Sequence, residues 1–158
     1  MTSAWAFAVA AWGRPGVEAI CLDLQNLHEQ SAALLLWRCW TLEANRGVGR
    51  DTLAKAVEVA RAWDEDVLRP LRALRRRMDP AAASQAESSR AAVRRRILDA
   101  ELEAEHALLD TLETLETFAA EPAGPSRLQA LIDLGEAWRP PVPRAALARL
   151  TQVLWPAL

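Results

Sequence analysis

The sequence predicts an all-α protein: a single-domain, irregular bundle of about six or seven helices, with one buried central helix and a long antiparallel helical hairpin. Three observations point there. Glycine is scarce (6 of 158 residues), β-branched runs are missing, and the good helix formers Ala, Leu, Glu and Arg dominate. Apolar residues recur at helical spacing through most of the chain. The stretch from Pro15 to Leu42 reads as an amphipathic helix, a break, and a second helix apolar on nearly every side.

In chain order, Thr2 or Ser3 caps a short helix over Ala4–Trp12, almost wholly apolar, with Trp5, Val9 and Trp12 expected toward the core and Phe7 away from it. So short a helix must be docked to persist. Pro15 suits the first turn of the next helix. Val17, Ile20, Cys21, Leu24, Leu27 and His28 share one face of it, which places His28 at the core edge.

Ser31 caps the helix that follows. Nine of the eleven residues from Ala32 to Leu42 are apolar, and a helix hydrophobic all round is buried all round. Its Trp37 and Trp40 need acceptors for their indole N–H groups. Its Arg38 must reach solvent or find a carboxylate. Gly47 is read as the C-cap.

Asp51 or Thr52 opens a fourth helix whose stripe is Leu53, Ala56, Val57, Ala60, Trp63, Val67, Leu71, Leu74 and Met78. That phase runs straight through Pro70, so one long kinked helix is expected, stopped by Asp79-Pro80. The segment from Pro80 to Ser89 is a small-residue connector.

A fifth helix, about Ser88 to Phe118, carries two apolar stripes. One holds Val93, Ile97, Ala100, Ala104, Ala107, Leu108, Leu115 and Phe118; the other holds Leu98, Leu102, Leu109 and Leu112. Glu101 and Glu105 fall between them. A helix with two apolar faces packs between layers or lends one face to another subunit. After the breaker Glu121–Pro125, Ser126 caps a helix with Leu128, Leu131, Ile132 and Gly135. Trp138 and a proline turn then lead to a last short helix. Residues 1–120 form the expected core, and 121–158 a variable helical tail packed on it.

Composition narrows the function classes. The chain is 51% apolar and 25% charged with a net charge of -2, ordinary for a globular protein. No apolar run is long enough to cross a membrane, and no basic residue precedes the first apolar run as in a secretory signal. Cys21 and Cys39 lack metal-ligand spacing and read as buried hydrophobes, with a disulfide as the alternative. A cytoplasmic location is the expectation.

Charge is segregated along the hairpin. Residues 61–96 hold ten arginines and five carboxylates, a net of +5; residues 97–121 hold eight carboxylates and no Lys or Arg. Arg69, Arg72, Arg75, Arg76, Arg77, Arg94, Arg95 and Arg96 therefore form a candidate patch for an anionic or protein partner, unless interhelical pairs consume them. Nucleic acid ranks third, because the patch has no interleaved aromatics and no binding motif.

A second constellation, His28, Trp37, Arg38, Trp40, Trp63, Glu101 and Glu105, is a candidate small-molecule or catalytic pocket. Arg38, Arg61 or Arg72 would partner the glutamates. Glu103-x-x-His106 is only half of a di-iron signature, and His106 falls on the polar face, so no metal or other cofactor is expected. Nucleophile motifs and a glycine-rich phosphate loop are missing, which leans against an enzyme.

Trp5-x-Phe7, Pro15-Gly16-Val17 with Cys21-Leu22-x-Leu24-Gln25, Leu34-Leu35-Leu36-Trp37 with Trp40, Trp63, Pro70-Leu71-Arg72 and Arg75-Arg76 occur in order over roughly residues 4 to 115. Together with Glu101-x-x-x-Glu105 they resemble a family of short, all-helical proteobacterial proteins of unknown function. The resemblance implies a small helical protein and brings no activity, cofactor or site residue with it. The leading expectation is a non-enzymatic binding or adaptor module using the arginine end or the surplus apolar face.

Overall fold

A computed structural model describes residues 2–78, 87–120 and 124–156. The stop at Asp79-Pro80, most of the connector and Glu121-Pro122-Ala123 lie outside them. The helices are α1 (Ala4–Trp12), α2 (Val17–Asn26), α3 (Ala32–Glu43), α4 (Arg50–Trp63), α5 (Arg69–Arg77), α6 (Glu87–Glu113), α7 (Arg127–Trp138) and α8 (Arg144–Leu154). A π-helical turn, Asp64–Leu68, joins α4 to α5 without a break. Two short strands, β1 (Arg46–Gly47) and β2 (Phe118–Ala119), pair antiparallel.

The all-helical expectation holds, and α3 is the centre. Every residue from Ala32 to Thr41 is buried, and α3 packs against α1, α7, α6, α2 and α4. One apolar core draws side chains from every helix but α5, including Leu131, Leu134, Leu147 and Leu150 of the last two helices. Three hydroxyl caps form: Ser3 accepts from the Ala6 N–H, Ser31 from Leu34 and Ser126 from Gln129.

Several local expectations fail for identifiable reasons. On α1 the alanines Ala4, Ala8 and Ala11 face inward and Val9 is exposed, because close approach to α3 favours the small face over the bulky one. Pro15 sits in a turn, and α2 starts at Val17 after Gly16, whose φ of 89° is left-handed and suits glycine. That helix ends at Asn26. Leu27 (71% exposed) and His28 therefore lie in the exposed turn beyond it, and His28 is no core-edge residue.

Gly47 is not a C-cap. Asn45 takes the left-handed conformation after α3 (φ 53°), while Gly47 lies in β1, where a Cβ would meet the Phe118 ring at 2.2 Å. Phe118 is in β2, half exposed, and not on the long helix, which stops at Glu113.

The largest correction concerns helix phase. The expected inward run Trp63, Val67, Leu71, Leu74 is displaced by one residue, since the π turn's i→i+5 bonding inserts one extra residue per turn. Leu68 is buried while Leu74 is 46% exposed, and Asp64, Arg72 and Arg75 turn toward α6. Pro70 follows the wide turn within the first turn of α5. On α6 the buried face is Ile97, Glu101, Ala104, Leu108 and Leu112, so Glu101 stands on the core stripe itself. Val93 is exposed, and the second stripe divides, with Leu98 and Leu102 exposed and Leu109 and Leu112 buried.

Candidate functional site

The rephased α5 lies along α6 and joins their charges into one network. The Arg75 Nε donates to Glu101 Oε1 at 2.6 Å and its Nη2 to Oε2 at 3.2 Å, a two-pronged pair around a carboxylate of a residue only 5% exposed. Arg72 bridges two acids: its Nη2 donates to Glu105 Oε1 at 3.2 Å and its Nη1 to Asp64 Oδ1 at 3.3 Å. The other oxygen of Asp64 accepts from Arg69 at 2.6 Å. Burial raises the Glu105 carboxyl above its ordinary value, and Arg72 opposes that shift.

The proposed arginine patch thus separates into two groups. Arg69, Arg72 and Arg75 are consumed by interhelical or local pairing, and Arg76 donates to Asn26 Oδ1 at 3.0 Å. Arg77, Arg95 and Arg96 are exposed and make no ion pair among the described residues. Arg94 is half-buried, with an Nε that has no hydrogen bond there.

Residues of the proposed pocket do not converge. Trp37 is fully enclosed, its indole N–H without a partner among the described residues. Trp40 donates to the Thr2 carbonyl at 2.8 Å, and Trp63 packs half-buried against the core. Glu101 and Glu105 take Arg75 and Arg72 as partners, while Arg61 instead donates to the Trp138 carbonyl and lies over its ring. Arg38 reaches neither bulk solvent nor a carboxylate: 6% exposed, it donates to Thr41 Oγ1 at 2.8 Å. Removal from water lowers its pKa.

The polar-face reading of His106 also changes. Its ring stacks on Trp5 at 4.3 Å, and its Nε2 is 3.6 Å from Asp110 Oδ2. No cluster of three metal-ligating side chains occurs among the described residues, nor any helix long and apolar enough to cross a membrane. Cys21 and Cys39 are free and buried. Burial pushes the Cys21 thiol up to about 12 and raises Cys39 as well.

Asp64 was missed by the sequence reading, although it holds both Arg69 and Arg72. Its place at the head of the acidic Asp64-Glu65-Asp66 run, just before an arginine-rich helix, was the available signal. Also missed was a groove of about 510 Å³ beside the end of α3. Arg38, Arg46, Arg127, Asn45, Phe118 and Val48 are among the residues lining it.

Fold and network together define an all-helical bundle braced by a charged interhelical seam. The chain belongs to the family described as "Protein of unknown function (DUF2390)", whose match spans residues 3–112 and so includes α3 and the whole Asp64–Glu105 seam. No curated protein and no solved structure matches it.

Proposed function

We propose that this protein is a non-enzymatic binding module whose α5–α6 hairpin docks a partner protein through a stripe that is basic near the connector and apolar beyond it. The observation that carries this reading is Arg95, Leu98 and Leu102. They lie at i, i+3 and i+7 on α6 and are all exposed, with Leu98 at 47% and Leu102 at 52%. Arg77 and Arg96 add positive charge at the same end of the hairpin. A stripe of this kind suits an amphipathic helix that offers apolar side chains to the leucines and carboxylates to the arginines. The paired Arg72 and Arg75 fall outside it; they hold the hairpin together.

The test compares wild type with Leu98→Asp/Leu102→Asp and with Arg95→Glu/Arg96→Glu in native cross-linked capture, followed by titration of the purified captured protein. The expected result is one species lost in both variants, with at least tenfold weaker binding, about 1.4 kcal/mol. The arginine variant should also show a flatter salt dependence. Equal binding by wild type and both variants overturns the reading.

A further inference from the structure

Arg38 is the most unusual charge in the fold. An arginine has five N–H donors, and this one, 6% exposed on the central helix, makes one hydrogen bond among the described residues, to Thr41 Oγ1. The Thr41 hydroxyl in turn donates to the Arg38 carbonyl at 2.8 Å, so it is a neutral partner. No carboxylate of the described residues lies within ion-pair distance of Arg38; Asp133 acts on it only through a longer-range field. A buried guanidinium without a counter-ion is a costly arrangement in a folded chain.

Arg38 also lines the groove of about 510 Å³, a volume in the range of small-ligand sites (about 300–1,000 Å³). Arg127, exposed and stacked over the Trp155 ring at 4.5 Å, contributes a second guanidinium. Stacking on a ring face leaves the edge N–H groups of a guanidinium directed outward. Arg46 lies over the Trp40 ring at 4.9 Å and forms part of the same wall. None of the lining residues among the described ones is acidic. The negative end of the α3 dipole is near, but about half a charge there is outweighed by the guanidiniums of Arg38 and Arg127. The rest of the wall includes Asn45, Leu42, Val48, Pro125 and the half-exposed Phe118 ring.

We infer that this groove binds a small phosphate monoester, with the phosphate held by Arg38 and Arg127 and an apolar or planar body set against Phe118. The site is separate from the α5–α6 stripe, so either proposal can fail alone. The phosphate supplies the counter-charge that Arg38 lacks, and paired N–H groups of a guanidinium match its oxygens. The mixture of cationic and apolar lining is what an ester needs and free phosphate does not.

The experiment titrates the full chain with inorganic phosphate, adenosine monophosphate and succinate by calorimetry, in wild type, Arg38→Gln, Arg127→Gln and Phe118→Ala. Saturable binding of both phosphate probes is expected, the nucleotide tighter, with each arginine variant weakening both at least tenfold. Phe118→Ala should bring the nucleotide down to the level of free phosphate. Arg127 is exposed, so its variant should melt like wild type, and loss of binding there cannot be ascribed to unfolding. Arg38→Gln without ligand should melt no lower than wild type, since it removes an unpaired buried charge. No saturable binding of either phosphate probe up to about 10 mM, a standard free energy weaker than about −3 kcal/mol, overturns the inference. So does binding unchanged in the arginine variants, or succinate binding as tightly as the nucleotide.

Discussion

Arg75 grips Glu101 with two nitrogens, at 2.6 Å and 3.2 Å, and so neutralises the one carboxylate that stands on the buried face of α6. The pair joins α5 to α6 through residues twenty-six positions apart in sequence. Removing Arg75 strands a buried anion. Arg75→Met should cost about 2–3 kcal/mol in chemical denaturation, somewhat below the ~3–5 kcal/mol of a wholly buried pair because the Arg75 side chain is 23% exposed. The double variant Arg75→Met/Glu101→Leu should recover most of that loss.

Glu105 behaves differently. Its side chain is 30% exposed, and burial raises its pKa despite Arg72. The folded state therefore holds that proton more tightly than the unfolded chain. Stability from this group is greatest at low pH and falls as pH rises from the ordinary value of 4.5 through the raised folded value. Glu105→Gln should flatten that part of the stability–pH curve. At neutral pH it should change stability by less than about 1 kcal/mol, because Arg72 keeps Asp64. A steeper slope in the variant would contradict this assignment.

The two thiols give an alkaline counterpart. Cys21 rises from 9.0 to about 12 through burial, and Cys39 rises too. Above pH 9 the unfolded chain loses these protons while the folded one retains them, so stability declines as pH climbs from 9 toward 12. Both thiols contribute to that decline. Cys21→Ala and Cys39→Ala should each make the decline shallower, and neither native thiol should react with an aromatic disulfide reagent at neutral pH.

The wide turn makes a deletion prediction. Loss of exposed Glu65 from Asp64–Leu68 closes the turn to α geometry while keeping the inward faces of α4 and α5 aligned, so the fold should survive with a change within about 2 kcal/mol. Loss of exposed Ala73 in α5 rotates Arg75 about 100° away from Glu101 and should be the more damaging deletion. Urea denaturation of both deletions decides it. Equal losses would show that the π turn does not set the phase.

Gly47 and Phe118 are coupled by contact. Gly47→Ala places a methyl 2.2 Å from the Phe118 ring, which must swing away from β1, at about 1–2 kcal/mol. In a Phe118→Ala background the same change should be nearly neutral. A double-mutant cycle measures the difference, and additive effects would rule out the contact as the cause.

The identity of α3 as the central helix follows from sequence alone, since Ala32–Leu42 has no polar face to give to solvent. The caps at Ser31 and Ser126 were equally legible, and that of α1 was narrowed to Thr2 or Ser3, because capping is local; Gly47 as a C-cap and Asp51 or Thr52 as the start of α4 did not hold, Gly49 standing before that helix. The pairing of Glu101 with an arginine was foreseeable as a need, because a carboxylate near an apolar stripe cannot stay alone. Its partner was not. A strict 3.6-residue phase puts Leu71 and Leu74 inward, and only packing against α6 favours the extra residue at Asp64–Leu68 that brings in Arg72 and Arg75 instead.

The groove was illegible for the same kind of reason. Arg38, Arg46, Phe118 and Arg127 stand far apart in sequence and meet because β1 pairs with β2 and α7 packs on α3. Local propensity, periodicity and charge order are properties of neighbours along the chain, and they determined the helices and the buried core. Which charges meet, and which one is left without a carboxylate, depends on helix rotation and long-range contact, and only the tertiary structure decided that.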